Sequence, residues 1–281
     1  MLVSRLAVAL VAAALVLPGA AQVKPEHGDE VYQPTVGQAG KDVIWVPTPD
    51  ALVTKMLDAV KTTKDDLVYD LGSGDGKIPI GAAKQYGARA VGIEYNADMA
   101  ELARRNVKRA GVDDLVTIVT GDIFIEDFSK ATVVTMYLLP ELNLKLRPII
   151  LGMKPGTRVT SHQFSMGDWD PDEQLKVEYR DAFVWMVPAA VSGEWVLKED
   201  RGSLEGTLNL VQRYQRIGGT LTLGGKAQPL LGAWVNGDKL GFSFIDSDNN
   251  LRSARMTVAG SGMTGELSSY GRTTSLAGRK R

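Results

Sequence analysis

The stretch Leu67-Val68-Tyr69-Asp70-Leu71-Gly72-Ser73-Gly74-Asp75-Gly76 constrains the fold of this chain more than any other. A short apolar run stops at alternating glycines, and helix-spaced apolar residues resume at Ile78. Glycine at 72, 74 and 76 lets a chain turn sharply at a strand end, and lets a ligand approach the backbone without meeting a Cβ. Further apolar runs follow at 90–94, 116–120, 132–138 and 157–160, with helical patterns at 78–86 and 99–110. Runs without polar alternation suit strands covered on both faces, which predicts an α/β fold with a Rossmann-like, doubly wound, mostly parallel sheet. Runs at 175–178 and 183–187 predict late antiparallel strands.

The details of the glycine loop separate its possible ligands. A dinucleotide fingerprint would have glycine where Lys77 stands, and a P-loop would have glycine at Leu71 and a hydroxyl at Ile78. Asp70 and Asp75 put negative charge on both sides of the loop, which repels a pyrophosphate and favours a cation such as a sulfonium carrying an ammonium group. The second strand ends at Glu94, where a carboxylate can accept both hydroxyls of a ribose. The third runs into Gly121-Asp122-Ile123, where Asp122 can accept adenine amino hydrogens and Ile123 can cover a ring face. Taken singly, Asp70 and Asp122 could cap helices and Glu94 could be a surface charge. Together they fall at successive strand C-termini, where open α/β sheets bind ligands.

Composition narrows the chemistry. The 281 residues include 32 basic, 33 acidic, two His and no Cys. Disulfides, thiolate zinc sites, iron–sulfur clusters and a cysteine nucleophile are excluded, and no metal site is expected. A net charge of −1 gives no general attraction to nucleic acid, so no nucleic-acid partner is expected.

Residues 1–21 read as a secretory signal: Arg5, an apolar run over 6–17, then Pro18-Gly19-Ala20-Ala21. The run is shorter than the roughly 20 residues of a spanning helix, so no stable membrane span is expected beyond it. Export to the periplasm or cell envelope is the expected address. Residues 22–42 read as a flexible lead-in, 43–191 as the α/β domain and 192–281 as a β-rich domain. That last part holds 15 of the 30 glycines, with 12 basic against 8 acidic residues. Short alternating runs at 204–210, 217–223, 229–235, 239–245, 251–258 and 263–268, divided by turn signals, predict an antiparallel meander or small barrel. Asp246-Ser247-Asp248-Asn249-Asn250 imitates a calcium loop, but Leu251 and Thr257 replace its glycine and its closing glutamate, so a hairpin turn is expected.

The sequence 70–76, with Glu94 and Asp122, resembles the motifs of the class I S-adenosylmethionine-dependent methyltransferases. Trp45-Val46-Pro47-Thr48-Pro49, Tyr137-Leu138-Leu139-Pro140 and the segment from Lys154 to His162 resemble a narrower family. It includes the mitochondrial ATP-synthase c-subunit lysine methyltransferases, and the resemblance covers about 43–187. It implies S-adenosyl-L-methionine as cofactor, held by Asp70, Gly72, Ser73, Gly74, Asp75, Gly76, Glu94, Asp122 and Ile123, with Thr48 at its methionine end. It also implies methyl transfer to a nucleophile, with a protein lysine as the precedent partner. Tyr137 and Pro140 stand where many amino-methylating relatives carry Asn/Asp-Pro-Pro-Tyr/Phe. The Asn or Asp is missing here, which leaves the Tyr137 oxygen and backbone carbonyls to hold an acceptor. His162, at the end of the fifth strand, is either a general base or a hydrogen-bonded core or rim histidine. An exported, non-catalytic binding protein using the β-rich domain is the alternative. The cofactor is made in the cytoplasm, so either the segment does not direct export, or the enzyme acts on client chains before translocation, or catalysis has been lost. The sequence is silent on oligomeric state.

Overall fold

The computed structural model describes residues 27–200 and 204–281; the signal-like segment 1–21 lies outside the described residues. The first half alternates strands and helices: α1 (Asp50–Ala59), β1 (Leu67–Leu71), α2 (Lys77–Tyr86), β2 (Arg89–Glu94), α3 (Ala97–Ala110), β3 (Val116–Thr120), β4 (Val133–Met136), α4 (Pro140–Leu151) and β5 (Arg158–His162). Two more strands, β6 (Glu173–Val177) and β7 (Arg180–Met186), complete a seven-stranded sheet in the order β3-β2-β1-β4-β5-β7-β6. The first five pair in parallel and β7 runs antiparallel to both β5 and β6. Strand order reverses at β1, where β2 and β4 lie on opposite sides, so the C-terminal ends of β1 and β4 open the crevice that such sheets use for ligands.

Helices cover both faces, which is why the strands read as apolar runs: β4 is buried at every position. One apolar layer joins Leu52, Met56 and Leu57 of α1 to Val68, Ala82 and Ala103, and another joins Leu71 and Met136 to Leu142, Leu146 and Ile150 of α4. Helix α4 was not expected. Its leucines at 142, 144 and 146 imitate a strand, and Pro148 lies inside it. Burial of Leu142, Leu146 and Ile150 at helical spacing settles the conformation, while Leu144 and Ile149 stay exposed.

The second half is an antiparallel nine-stranded sheet that curls into a near-barrel. Its strands are β8 (Gly193–Glu199), β9 (Glu205–Arg213), β10 (Arg216–Leu223), β11 (Lys226–Pro229), β12 (Leu231–Asn236), β13 (Lys239–Ile245), β14 (Leu251–Ala259), β15 (Gly262–Ser269) and β16 (Arg272–Lys280). Neighbours follow in sequence except that β8 pairs with the last strand, β16. Strands β11 and β12, the two ends of the sheet, are consecutive in the chain and meet: Leu230 N–H, between them, donates to Gly219 O of β10 at 3.0 Å, and Gln228 bonds both backbone groups of Ile245 on β13. Trp195, Leu208, Leu221, Phe242, Phe244 and Met256 fill the interior. The calcium-like segment is the β13–β14 turn, with Asp246 Oδ1 accepting from the N–H groups of Asp248 and Asn250.

The connection between the two sheets is packed. Val187, Ala189 and Val191 are buried, Gln212 Nε2 donates to Ala189 O at 2.8 Å, and Val191 N–H donates back to Gln212 Oε1 at 2.7 Å.

Candidate active site

The cleft opens at the crest of β1, β2 and β4. Asp70, Gly72, Ser73, Gly74, Asp75, Glu94, Asp122, Ile123, Tyr137 and Thr48 line it, so most of the sequence-predicted residues converge on one hollow. Gly76, Pro140 and His162 are not among the lining residues: Gly76 and His162 are buried and Pro140 is exposed. Gly76 opens α2, and Pro140 is the first residue of α4.

The glycine loop is held by its neighbours. Glu94 Oε2 accepts Gly74 N–H at 2.8 Å and Oε1 accepts Asn96 N–H at 2.8 Å, so the second-strand carboxylate fixes the loop as well as facing the cleft. Two glycines are required by close approach. A Cβ on Gly74, where φ is +54°, would lie 2.7 Å from the Trp45 indole nitrogen. A Cβ on Gly92, inside β2, would lie 2.6 Å from Ser73 Oγ. Sequence reading missed Gly92; the signal available was a glycine two residues before a strand-end carboxylate, inside an otherwise apolar run.

For these carboxylates burial outweighs the positive charge nearby, which is Lys77 and His27 beside Asp75. Burial pushes Asp70 up to about 7; a hydrogen bond from Thr135 at 2.6 Å opposes the rise, while Glu94 and Asp75 add to it. Burial also raises Asp75 and Glu94. A hollow with this donor set fits a ligand that brings its own cation, because proximity of a positive group favours every ionised carboxylate at once. At the far end, Asp122 behaves oppositely: Lys41 Nζ sits 2.6 Å from Oδ2 and holds the carboxyl below its usual range.

Lys41 belongs to residues 27–49, which run along α3 and over the cleft. The composition of 22–42 suggested a flexible lead-in, yet its described part is tied down. Asp29 is buried and accepts from Arg105 at 2.7 Å and Arg109 at 3.0 Å, which hold its carboxyl far below the ordinary value. Residues 37–45 form a small hairpin closed by Gly37 N–H to Trp45 O and Trp45 N–H to Gln38 O. Lys41 also lies 4.7 Å over the Tyr95 ring. Composition could not reveal these partners, which are distant in sequence.

The β4 end of the cleft is apolar and aromatic: Tyr137, Leu138, Leu139, Leu142 and Phe164. Tyr137 stacks on His162 at 3.7 Å and on Phe164 at 6.3 Å. His162 is fully buried; its Nδ1 meets Thr48 Oγ1 at 3.1 Å, and its Nε2 has no partner among the described residues. Burial, with Arg180 nearby, lowers the imidazole to about 4. Of the two readings of His162, this geometry fits the core histidine. Phe164 was not anticipated, since a turn at Gln163 (φ +67°) is what brings it back to the cleft.

A crest pocket with a strand-end acidic ring, a glycine turn and a seven-stranded sheet of this order defines a class I S-adenosylmethionine-dependent methyltransferase. The family model described as the ANTKMT methyltransferase domain matches residues 70–173. A protein-lysine N-methyltransferase of Saccharolobus islandicus is 47% identical over 138 residues, covering 48% of this chain and 86% of that protein. The ATP-synthase c-subunit lysine N-methyltransferase of Mus musculus is 31% identical over 129 residues, 46% of this chain; the chain spans 51% of that enzyme's length. A solved structure of an RNA methyltransferase from Salinibacter ruber, in complex with S-adenosyl-L-homocysteine, is 50% identical with a TM-score of 0.51, covering 52% of this chain and 96% of that one. The chain belongs to this family of S-adenosylmethionine-dependent methyltransferases, which includes protein-lysine methyltransferases. S-adenosyl-L-methionine is its cofactor.

Proposed function

We propose that the methyl acceptor is the side-chain amine of a protein lysine. The observation that carries the reading is the wall of Tyr137, Leu138, Leu139, Leu142 and Phe164 beside the acidic half of the cleft. An aliphatic stem packs on such a wall, and desolvation there favours the neutral amine that must attack. The lysine acceptors named for the archaeal and mouse relatives support it. The RNA named for the Salinibacter protein is the competing acceptor, and a net charge of −1 argues against it.

In this reading, Asp70 and Asp75 hold the cationic methionine end with Thr48. Glu94 takes the ribose, and Asp122 with Ile123 takes the adenine. The backbone of Gly72, Ser73 and Gly74 closes on the ligand, and Gly76 turns the chain into α2 behind them. When bound, the cofactor supplies a methyl group on a sulfonium, which leaves as a neutral thioether and needs no acid. The protein's task is alignment and exclusion of water. Tyr137 hydroxyl and the carbonyls near 137–139 accept hydrogen bonds from the amine and aim its lone pair. His162, neutral and covered by Tyr137, positions that ring and Thr48 and takes no proton; the amine proton leaves to water at the mouth. Pro140 starts α4 and fixes the direction in which those carbonyls point.

Methyl-labelled S-adenosylmethionine incubated with cell protein and with total RNA tests the acceptor. Methyl-lysine after acid hydrolysis is the expected product; label confined to RNA overturns the reading. The pattern Arg5, 6–17 and Pro18-Gly19-Ala20-Ala21 supports export of residues 22–281 to the periplasm or envelope, with methylation of client chains in the cytoplasm beforehand. Residues 1–21 fused to a compartment-sensitive reporter test it: a periplasmic signal is expected, and a cytoplasmic one removes the address.

A further inference from the structure

The chain between β5 and β6, residues 163–172, leaves the acceptor side of the cleft at Phe164 as a lip. Phe164 lines the cleft and stacks on Tyr137. From α4, Asn143 Nδ2 reaches Phe164 O and Ser165 O at 3.2 Å each, and Arg147 donates to Met166 O at 2.8 Å. The other half of the lip is held from the barrel. Asp168 accepts Arg213 at 2.8 Å and the Tyr214 hydroxyl at 3.1 Å, besides pairing with Arg147. Asp170 pairs with Arg216, and Gln215 Nε2 donates to Asp170 O at 2.6 Å. The Tyr214 ring stacks on the fully buried Trp169 at 5.9 Å with 21° between planes.

All four barrel residues form one turn, the tip between β9 and β10. Tyr214 has φ +56°, a conformation that hairpin turns ordinarily give to Gly or Asn. Gln212 Nε2 donates to both Tyr214 O and Ala189 O at 2.8 Å, so the buried connection between the sheets fixes the turn that reaches the lip. The turn is not there to join two strands cheaply: it puts an aromatic where glycine would be easier, and aims that ring at Trp169. The family match ends at residue 173, so this support is supplied by a part of the chain outside it.

We propose that the β9–β10 turn is a positioning element of the methyltransferase site: Arg213, Tyr214 and Arg216 hold the lip so that Phe164 and Tyr137 present the acceptor, leaving cofactor binding to the other half of the cleft. This rests on the reading that the acceptor enters along Tyr137 and Phe164.

The test uses the full chain as wild type, Tyr214→Ala, Tyr214→Phe and the surface pair Arg213→Ala with Arg216→Ala. Three quantities are read: amide hydrogen exchange over 164–172, affinity for S-adenosylhomocysteine by calorimetry, and kcat and KM with poly-L-lysine. Tyr214→Ala and the arginine pair are expected to speed exchange across the lip about tenfold. They should raise KM about tenfold and leave S-adenosylhomocysteine affinity within about twofold. Tyr214→Phe, which keeps the stack, should restore most of the KM. Unchanged exchange at 164–172 overturns the proposal, as does a parallel loss of S-adenosylhomocysteine affinity, which would mean the turn supports the whole fold. If wild type fails to methylate poly-L-lysine, the lysine reading fails, while exchange and calorimetry still decide whether the turn holds the lip.

Discussion

The rings of Tyr137 and His162 lie 3.7 Å apart between centroids and tilted by 35°, so the tyrosine at the cleft wall roofs the imidazole beneath it. A histidine sealed in this way, and lowered to about 4, is neutral across the working range. The pH–rate profile is therefore expected to show no limb due to His162. His162→Ala should lower kcat about tenfold by letting Tyr137 sink, with S-adenosylhomocysteine affinity nearly unchanged, and without moving any inflection of the profile. Steady-state kinetics between about pH 5 and 9 check this; an inflection that vanishes in the variant would make His162 a base after all.

Gly92 pairs with Asp70 across β1 and β2, beneath the glycine loop. A Cβ there meets Ser73 Oγ at 2.6 Å, Ser73 Cβ at 2.7 Å and Ile118 Cδ1 at 2.8 Å, so rotating one side chain does not make room. Gly92→Ala is expected to cost about 1–3 kcal/mol of stability by overpacking. It should also weaken S-adenosylhomocysteine binding about tenfold by lifting the loop, with thermal unfolding and calorimetry as the measurements.

What was legible in the sequence was whatever local chemistry demanded. Strand, glycine turn and helix around Asp70–Gly76 must be contiguous, and Glu94 ends, and Asp122 closely follows, strands that announce themselves by composition. Residues that reach the cleft through tertiary packing were not legible. Lys41 finds Asp122 across 81 positions, and Phe164 arrives through the turn at Gln163. A small barrel was legible, but the two strands that pair its first and last segments were hidden. Strand β16 buries Leu276 among small and basic residues, and its partner β8 lies far away in the chain, with Lys280 opposite Trp195.

Lys41 stands where the adenine amino group is expected, with its ammonium 2.6 Å from Asp122 Oδ2 and over Tyr95. With Asp122 in its proposed role, adenine and Lys41 compete for one carboxylate. Lys41→Met is expected to tighten S-adenosylhomocysteine binding by about two- to fivefold, because no ion pair has to break first. Calorimetry of the variant decides it: weaker binding would mean that Lys41 serves chiefly to hold the 37–45 hairpin over the ligand.

In its proposed role at the cationic end of the cofactor, Asp70 makes cofactor binding depend on pH. Its carboxyl titrates at about 7 in the folded, ligand-free protein, against a reference of 3.8. The folded state thus holds a proton that the unfolded state has released, and stability falls as pH rises between those values. Asp70→Asn removes that penalty and should raise the Tm of the ligand-free protein at about pH 8, by an amount worth about 1–3 kcal/mol. Ligand binding runs the other way. A cationic methionine end favours the carboxylate, so S-adenosylmethionine should bind more tightly as pH rises from about 5 to 7, by up to tenfold per unit, and then level off. Binding at about pH 6 should release a proton, seen as a heat that varies with the buffer's ionisation enthalpy. Asp70→Asn should bind weakly and without this slope. A wild-type affinity that stays flat over the same range would remove Asp70 from the recognition of the cation and leave that task to Asp75 and Glu94.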